Sequence, residues 1–164
     1  MTESLAALKT LDPYPGAARD EVSSAFYGRA KANNEALVIN KWFAVQASTF
    51  AADSLTRVKA LMAHEAYDGT NPNRVRSVVN MFANANPAGF HALDGSGYAF
   101  VADQVIDLGK RNPQIAARLC NAFASWKKYD ATRQALMKAQ LERIRDEKDM
   151  SKDVLEIATK SIEG

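Results

Sequence analysis

The sequence predicts an all-α protein, and the clearest evidence is how its helices begin. Asn-Pro occurs three times, at Asn71, Asn86 and Asn112. An Asn side chain accepts a hydrogen bond from an unpaired amide of the first helical turn, and Pro fits the next position because it has no amide hydrogen to leave unpaired. Apolar residues also recur three or four positions apart along most of the chain, which is the spacing of one helix face.

The predicted helices follow one another through short loops. A cluster of Pro13, Pro15 and Gly16 ends the first helix, and the later helices begin at Asn, Asp or Ser residues that suit a cap. Asp53 or Ser54 is the predicted cap of the fourth helix. The predicted ranges are about 2–11, 17–33, 35–47, 53–63, 71–82, 86–91, 98–110, 112–126, 130–148 and 151 to the end.

Apolar side chains define the face that each helix buries. Val22 and Phe26 mark this face in the second helix, and Leu37 is among the residues that widen it in the third. The third helix contains β-branched residues that favour a strand, but its apolar residues follow the helical period better. The predicted core of the fifth helix comprises Val75, Val78, Val79 and Phe82.

Helices of this length joined by short loops predict a single all-α domain over residues 1–164. The alternation of helix pairs favours a two-layer superhelical stack of the armadillo or HEAT type, although the repeats are too degenerate to define a period.

Composition excludes several classes of partner. The net charge of +2 is too small to predict nucleic acid or an anionic membrane as the main partner, and no run reaches the ~18 apolar residues of a membrane span. The N-terminus lacks the basic and apolar regions of a secretory signal, which predicts a cytoplasmic protein. The single cysteine, Cys120, is predicted to be a small core residue.

Motifs for catalysis are absent or incomplete. His64 and Glu65 begin a zinc-protease motif, but Asp68 stands where the second histidine is required, and a glycine follows at once. We therefore interpret this segment as a loop and predict no metal site in the chain. The segment DGSG at 94–97 is interpreted as a turn, and the basic residues near 127–138 as a solvated helix face.

Arg76 and Arg118 are the candidate binding residues. Each lies about one turn into a helix that begins with Asn-Pro, near the helix end whose exposed amides favour an anion. Two interpretations are open from the residues alone. Each arginine either pairs with a carboxylate to join two helices, or binds a carboxylate or carbonyl oxygen of a ligand.

Four segments carry a resemblance to a known family. They read EALVINKWFAVQAS, NPNRVRSVVNMFANANPAGFHALDGSGYAF, DLGKRNPQIAARL and WKKYDATRQALMKAQLERI. Together they resemble the C-terminal helical domain of the bacterial alanyl aminopeptidases (aminopeptidase N), which are zinc metallo-aminopeptidases of the gluzincin group. The similarity runs without a gap from about residue 35 to the end.

The resemblance implies a cap domain whose catalytic zinc domain is absent from this chain. In the family, the cap closes over the catalytic domain of the same polypeptide and encloses a cavity that admits short peptides. Zinc would be bound outside this chain, so this chain alone would be inactive. The match implies that Arg76 and Arg118, with Gln114 beside the latter, bind substrate.

The alternative from a different class is a free-standing helical-repeat scaffold that binds a partner peptide. A cap is expected to expose one large apolar patch, centred on its early helices, where it meets its neighbour, whereas a free scaffold is expected to be polar all round. RNA binding by a helical repeat would need a continuous basic stripe, which the charge balance disfavours.

Overall fold

Helices account for the regular structure of residues 17–164, and these described residues contain no β-strand. The structure is a computed structural model that describes this range, with side chains from Asp20 onward. The all-α prediction is therefore confirmed, while the predicted helix at 2–11 lies outside the described residues. None of the described helices is long and apolar enough to cross a membrane.

The described chain divides after Gly89 into two compact units, which we call unit 1 and unit 2. The single domain over residues 1–164 stays a prediction. Unit 1 contains α1 Ala17–Ala32, α2 Ala36–Ala47, α3 Ser54–Met62, α4 Pro72–Val75, a π-turn Arg76–Asn80 and α5 Met81–Ala85. A short helix, α6 Pro87–Phe90, spans the division. Helix α2 packs against α1, α3 and the π-turn.

Unit 2 is built from two helix pairs. Its helices are α7 Ser96–Arg111, α8 Pro113–Cys120, α9 Ala131–Arg145 and α10 Lys152–Glu163. Two 3₁₀ turns, Asn121–Phe123 and Trp126–Lys128, connect the pairs. Helix α7 packs on α8, α9 packs on α10, and the pairs stack through α7 on α9 and α8 on α10.

The predicted Asn caps are confirmed at all three Asn-Pro sites. The side chain of Asn71 accepts from the amide of Asn73 at 2.9 Å, and that of Asn112 accepts from Ile115 at 3.3 Å. Asn86 accepts from the amide of Gly89 at 3.0 Å. These bonds fix where α4, α6 and α8 begin.

Asn86 also has a tertiary role that the capping pattern did not predict. Its side chain is buried, and Nδ2 donates to the carbonyl oxygens of Ala47 and Thr49 at 3.0 and 2.6 Å. The same amide therefore starts α6 and holds the end of α2.

Two apolar residues predicted to face the core are exposed. Val22 is 50% exposed and Leu37 is 73% exposed. In α1 the buried face contains Ser23 instead, because the indole Nε1 of Trp42 donates to both the hydroxyl and the carbonyl oxygen of Ser23 at 3.0 Å. The hydrogen bonds from Trp42 thus accommodate a polar residue on the buried face, which the predicted face at Val22 and Phe26 did not include. The predicted core of the helix expected at 71–82 is confirmed, with Val75, Val78, Val79 and Phe82 all buried.

Several predicted ends and caps also differ. The helix predicted to reach 126 ends at Cys120 and gives way to 3₁₀ turns, and the one predicted to reach 148 ends at Arg145. Ser151 and Asp53 occupy cap positions, but neither side chain makes a capping hydrogen bond. The carboxylate of Asp53 instead accepts from Arg57 at 2.8 Å.

Cys120 is a core residue, as predicted. Its side chain is fully buried, and this burial raises the pKa of the thiol to about 12. A thiol held protonated in this way behaves as a small apolar group rather than as a nucleophile.

Candidate functional site

Arg76 opens the π-turn between α4 and α5. The amide of Met81 donates to the carbonyl of Arg76, five residues back, rather than to the residue four back as in an α-helix. The side chains of Ser77, Val78 and Val79 are buried, whereas Arg76 is exposed. Single π-turns inside helices occur frequently at functional sites, because the extra residue alters which side chains face outward.

Arg118 lies in the last turn of α8 rather than near its beginning. The expectation that its guanidinium stands at the positive end of a helix is therefore wrong, because α8 ends only two residues later. The C-terminal end of a helix carries a partial negative charge, which stabilises a cation there. Gln114 lies four residues earlier on the same helix, so both exposed side chains share one face.

Arg76 and Arg118 differ from the other arginines whose side chains are described. Neither side chain forms a hydrogen bond, ion pair or ring contact with another residue in the range 20–164. Every other arginine of that range has at least one such contact: Arg29, Arg57, Arg74, Arg111, Arg133, Arg143 and Arg145. The structural interpretation, in which each candidate pairs with a neighbouring carboxylate, has no support among these residues.

The contrast is sharpest between Arg74 and Arg76. Arg74 is partly buried, donates to the side chain of Asn40 and to the carbonyl of Ala36, and lies over the ring of Phe43. Its burial lowers the pKa of the guanidinium, which stays charged at neutral pH. Arg74 thus joins α4 to α2, while Arg76, two residues later, keeps its donors available.

The candidate residues are divided between the two units. Arg76 belongs to unit 1, whereas Gln114 and Arg118 belong to unit 2. The structure brings Gln114 and Arg118 together on one helix face.

His64 and Glu65 lie in a loop, as predicted, and both form hydrogen bonds with other residues of the protein. The carboxylate of Glu65 accepts from Lys31 Nζ at 2.6 Å and from Tyr27 Oη at 2.8 Å, and these bonds lower the pKa of Glu65. His64 Nδ1 accepts from the amide of Ala66 at 3.2 Å. No three His, Cys, Asp or Glu side chains meet in the described part of the chain, so its residues do not fit a zinc ion.

A cleft in unit 1 contains polar residues that sequence reasoning missed. Its walls come from α1, α2, α3 and the loop at His64, and its volume is about 530 Å³. Gln46 lines it, and the Nε2 atom of this residue is buried without a hydrogen-bond partner in the described structure. No sequence motif marks Gln46, because its lack of a partner is a property of the packed helices.

Comparisons with known proteins agree with this fold. A family model described as "Domain of unknown function (DUF3458_C) ARM repeats" matches residues 1–163. The chain belongs to this ARM-repeat family. The family assignment confirms the predicted armadillo-like helical repeat.

The relatives of this ARM-repeat chain are much longer proteins. Aminopeptidase N of Escherichia coli (strain K12) and that of Caulobacter vibrioides are each 41% identical to it over 162 residues, which is 99% of this chain and 18% of the relative. A crystal structure of Legionella pneumophila aminopeptidase A in complex with aspartic acid superimposes with a TM-score of 0.92 at 39% identity, covering 99% of this chain and 19% of that one. The chain thus spans less than a fifth of these relatives, and the predicted resemblance to the C-terminal part of aminopeptidase N is confirmed.

Proposed function

We propose that this chain is the C-terminal cap domain of a zinc aminopeptidase that releases N-terminal amino acids from short peptides. The single observation that carries this proposal is the availability of Arg76 and Arg118, the two arginines without a partner among residues 20–164. Family membership and the named relatives supply the enzyme class. The proposed role of the cap is to enclose the cavity in which the catalytic domain acts.

In this proposal the two arginines hold the part of the substrate that lies beyond the first peptide bond. A guanidinium presents five donors in a planar fork, which fits a terminal carboxylate or successive main-chain carbonyl oxygens. Gln114, one turn before Arg118, offers an amide that both donates and accepts. Enclosure of the cavity lowers the effective dielectric constant and strengthens each charged contact.

Exposed apolar side chains support a neighbouring domain as the partner. Four large apolar residues of the described chain are strongly exposed, and three of them lie between residues 20 and 50: Val22, Leu37 and Phe50. All three lie in the early part of the described chain, where a cap is expected to meet another domain. The proposed partner is the catalytic domain of the same polypeptide.

The catalytic chemistry is assigned to the remainder of that polypeptide. The zinc of the proposed enzyme would be bound there, since His64 and Glu65 have no third His, Cys, Asp or Glu beside them in the described part of this chain. Zinc would supply a Lewis acid for hydrolysis of the peptide bond. The residues of this chain bind and orient the substrate in a cytoplasmic enzyme.

The proposal is tested by Arg118→Ala in the full-length aminopeptidase. Loss of a charge-assisted contact worth about 1.5–3 kcal/mol is expected to raise the KM for dipeptides and tripeptides roughly ten- to hundredfold, with a much smaller fall in kcat. Arg118→Lys is expected to recover part of this loss. The effect is expected to shrink for substrates whose C-terminal carboxylate is amidated.

Arg143→Ala is the matched control, because Arg143 is also exposed in unit 2 but already pairs with Asp103. Its kinetics on the same peptides are expected to equal those of the parent enzyme. Unchanged kinetics in Arg118→Ala would remove Arg118 from the proposed site.

A second test concerns the chain on its own. The 164-residue chain is expected to release no amino acid from a chromogenic aminoacyl substrate, with or without added zinc. Zinc-dependent turnover by this chain would contradict its assignment as a cap.

A further inference from the structure

The cleft of unit 1 has one aromatic wall and one charged rim. The rings of Tyr27, Trp42 and His64 contact one another, with centroid separations between 4.7 and 5.0 Å. Asp20, Asp53 and Arg57 also line the cleft. A volume of about 530 Å³ falls in the range of small-ligand pockets.

Most polar groups of the wall are already occupied within the protein. The indole Nε1 of Trp42 donates to Ser23, and the hydroxyl of Tyr27 donates to Glu65. Arg57 is paired with Asp53 at 2.8 Å. These groups shape the cleft but have little capacity left for a ligand.

Two groups that line the cleft can form a hydrogen bond or an ion pair that the described protein does not supply. The amide of Gln46 has a buried nitrogen without a hydrogen-bond partner in the described structure, which is an unfavourable arrangement. Asp20 is exposed and forms no ion pair with another residue in the range 20–164. The rim therefore carries two carboxylates against one guanidinium, an excess of negative charge.

We propose that this cleft binds a short peptide carrying a basic side chain. The Gln46 amide pairs with a peptide group of the ligand, because a primary amide both donates and accepts and a peptide group offers one N–H and one C=O. The terminal torsion of Gln46 is soft, so its donor turns toward the cleft at low cost. The cation of the ligand meets Asp20, and its aliphatic stem lies along Tyr27 and Trp42.

The size of the cleft favours a short peptide over a folded partner. Interfaces between folded partners cover about 800 Å² on each side, whereas this cleft is a concavity for a few residues. This inference is independent of the proposed substrate site at Arg76 and Arg118, and the probes below are chosen to disfavour that site. They carry neither a free N-terminus for cleavage nor a C-terminal carboxylate for an arginine.

The experiment titrates the ¹⁵N-labelled 164-residue chain with three capped peptides, acetyl-Gly-Lys-Gly-amide and its norleucine and glutamate analogues. The chain has two tryptophans, so the indole Nε1–H signals report separately on Trp42 in the cleft and Trp126 in unit 2. The lysine peptide is expected to shift the Trp42 signal saturably, with a Kd of about 1 mM, and to leave Trp126 unmoved. Norleucine and glutamate are expected to weaken binding about fivefold or more.

Asp20→Asn tests the charge. It is expected to reduce the affinity for the lysine peptide to that for the norleucine peptide, while Glu21→Gln, the exposed neighbour outside the cleft lining, changes nothing. Equal binding of all three peptides, or an unchanged affinity in Asp20→Asn, would overturn the proposal. So would the absence of any saturable shift of the Trp42 signal.

Gln46→Leu tests the amide. The variant is expected to weaken all three peptides together and to unfold at the same temperature as the parent or higher, because it removes a buried donor that has no partner. Retained affinity would show that the amide takes no part. A large fall in the unfolding temperature would show that Gln46 serves the fold instead, which also contradicts the proposal.

Discussion

The two units place their histidines in different surroundings. The chain has two histidines, and each lies in an aromatic cluster of its own unit. In unit 2, His91 contacts Phe90 and Tyr98, both of which are fully buried. In unit 1, His64 contacts Tyr27 and lines an open cleft. The comparison indicates that the histidine of unit 2 belongs to a buried hydrogen-bonded cluster, whereas the histidine of unit 1 borders an open cleft that also contains the unpartnered amide nitrogen of Gln46.

The polar centre of unit 2 is a continuous hydrogen-bonded set. His91 Nδ1 and the hydroxyl of Tyr98 are 2.8 Å apart, Arg133 Nε donates to the carbonyl of His91 at 3.0 Å, and Arg133 Nη1 pairs with Asp130 at 2.7 Å. Burial raises the pKa of Tyr98 to about 12, so its hydroxyl keeps its proton as a donor. Polar groups whose hydrogen bonds are all formed favour one unique packing of a core.

The largest expected effect concerns Asn86, a buried residue of unit 1 whose side-chain amide is hydrogen-bonded, unlike the Nε2 atom of Gln46. Asn86→Ala removes three hydrogen bonds of a buried side chain and is expected to cost about 2–4 kcal/mol of unfolding free energy. Asn71→Ala, which removes only an exposed cap, is expected to cost about 1 kcal/mol. Denaturant unfolding followed by tryptophan fluorescence measures both. Equal losses would show that the tertiary bonds of Asn86 add nothing.

A pair of glycines gives a smaller test of packing within unit 1. A methyl group at Gly89 would lie 2.5 Å from the ring of Phe82 and 2.9 Å from Ser54 Cβ, so Gly89→Ala is expected to cost about 1–3 kcal/mol. At Gly28, in α1, a methyl group meets nothing within 4 Å. Gly28→Ala is expected to stabilise the protein by about 0.5–1 kcal/mol, because Ala is the better helix former. Thermal unfolding of both variants distinguishes the sites, and stabilisation by Gly89→Ala would contradict the close packing there.

The smallest expected effect is the pH dependence that His91 gives to unit 2. Burial, with a smaller contribution from Arg133, lowers the pKa of His91 below that of the unfolded chain, which is about 6.5. The unfolded state therefore binds this proton more readily, so the contribution of His91 is present above about pH 6.5 and is lost as the pH falls through the folded pKa. One proton limits the slope to about 1.4 kcal/mol per pH unit.

His91→Gln isolates this contribution, because Gln retains a hydrogen-bonding group but does not titrate in this range. Unfolding free energies of the two proteins, measured between about pH 5 and pH 8, are expected to diverge only below about pH 6.5. Parallel profiles would show that His91 titrates alike in the folded and unfolded states.

Local sequence determined that the fold is all-α and where several of its helices begin. The apolar period and the Asn-Pro dipeptides act over three or four residues, so they predict helices and their starting points without knowledge of the neighbours. Resemblance then identified the family. The predicted ends were less accurate: α8 stops at Cys120 and places Arg118 in a last turn, where a longer helix was expected.

Tertiary structure alone decided which polar groups are used and which are available. Arg74 bonds to Asn40, 34 positions away in the sequence, while Arg76 finds no partner among the described residues. Asn86 reaches carbonyls 37 and 39 positions away, and Gln46 Nε2 is left without an acceptor in the described structure. These outcomes depend on distances between elements remote in sequence, and neither capping nor periodicity contains that information.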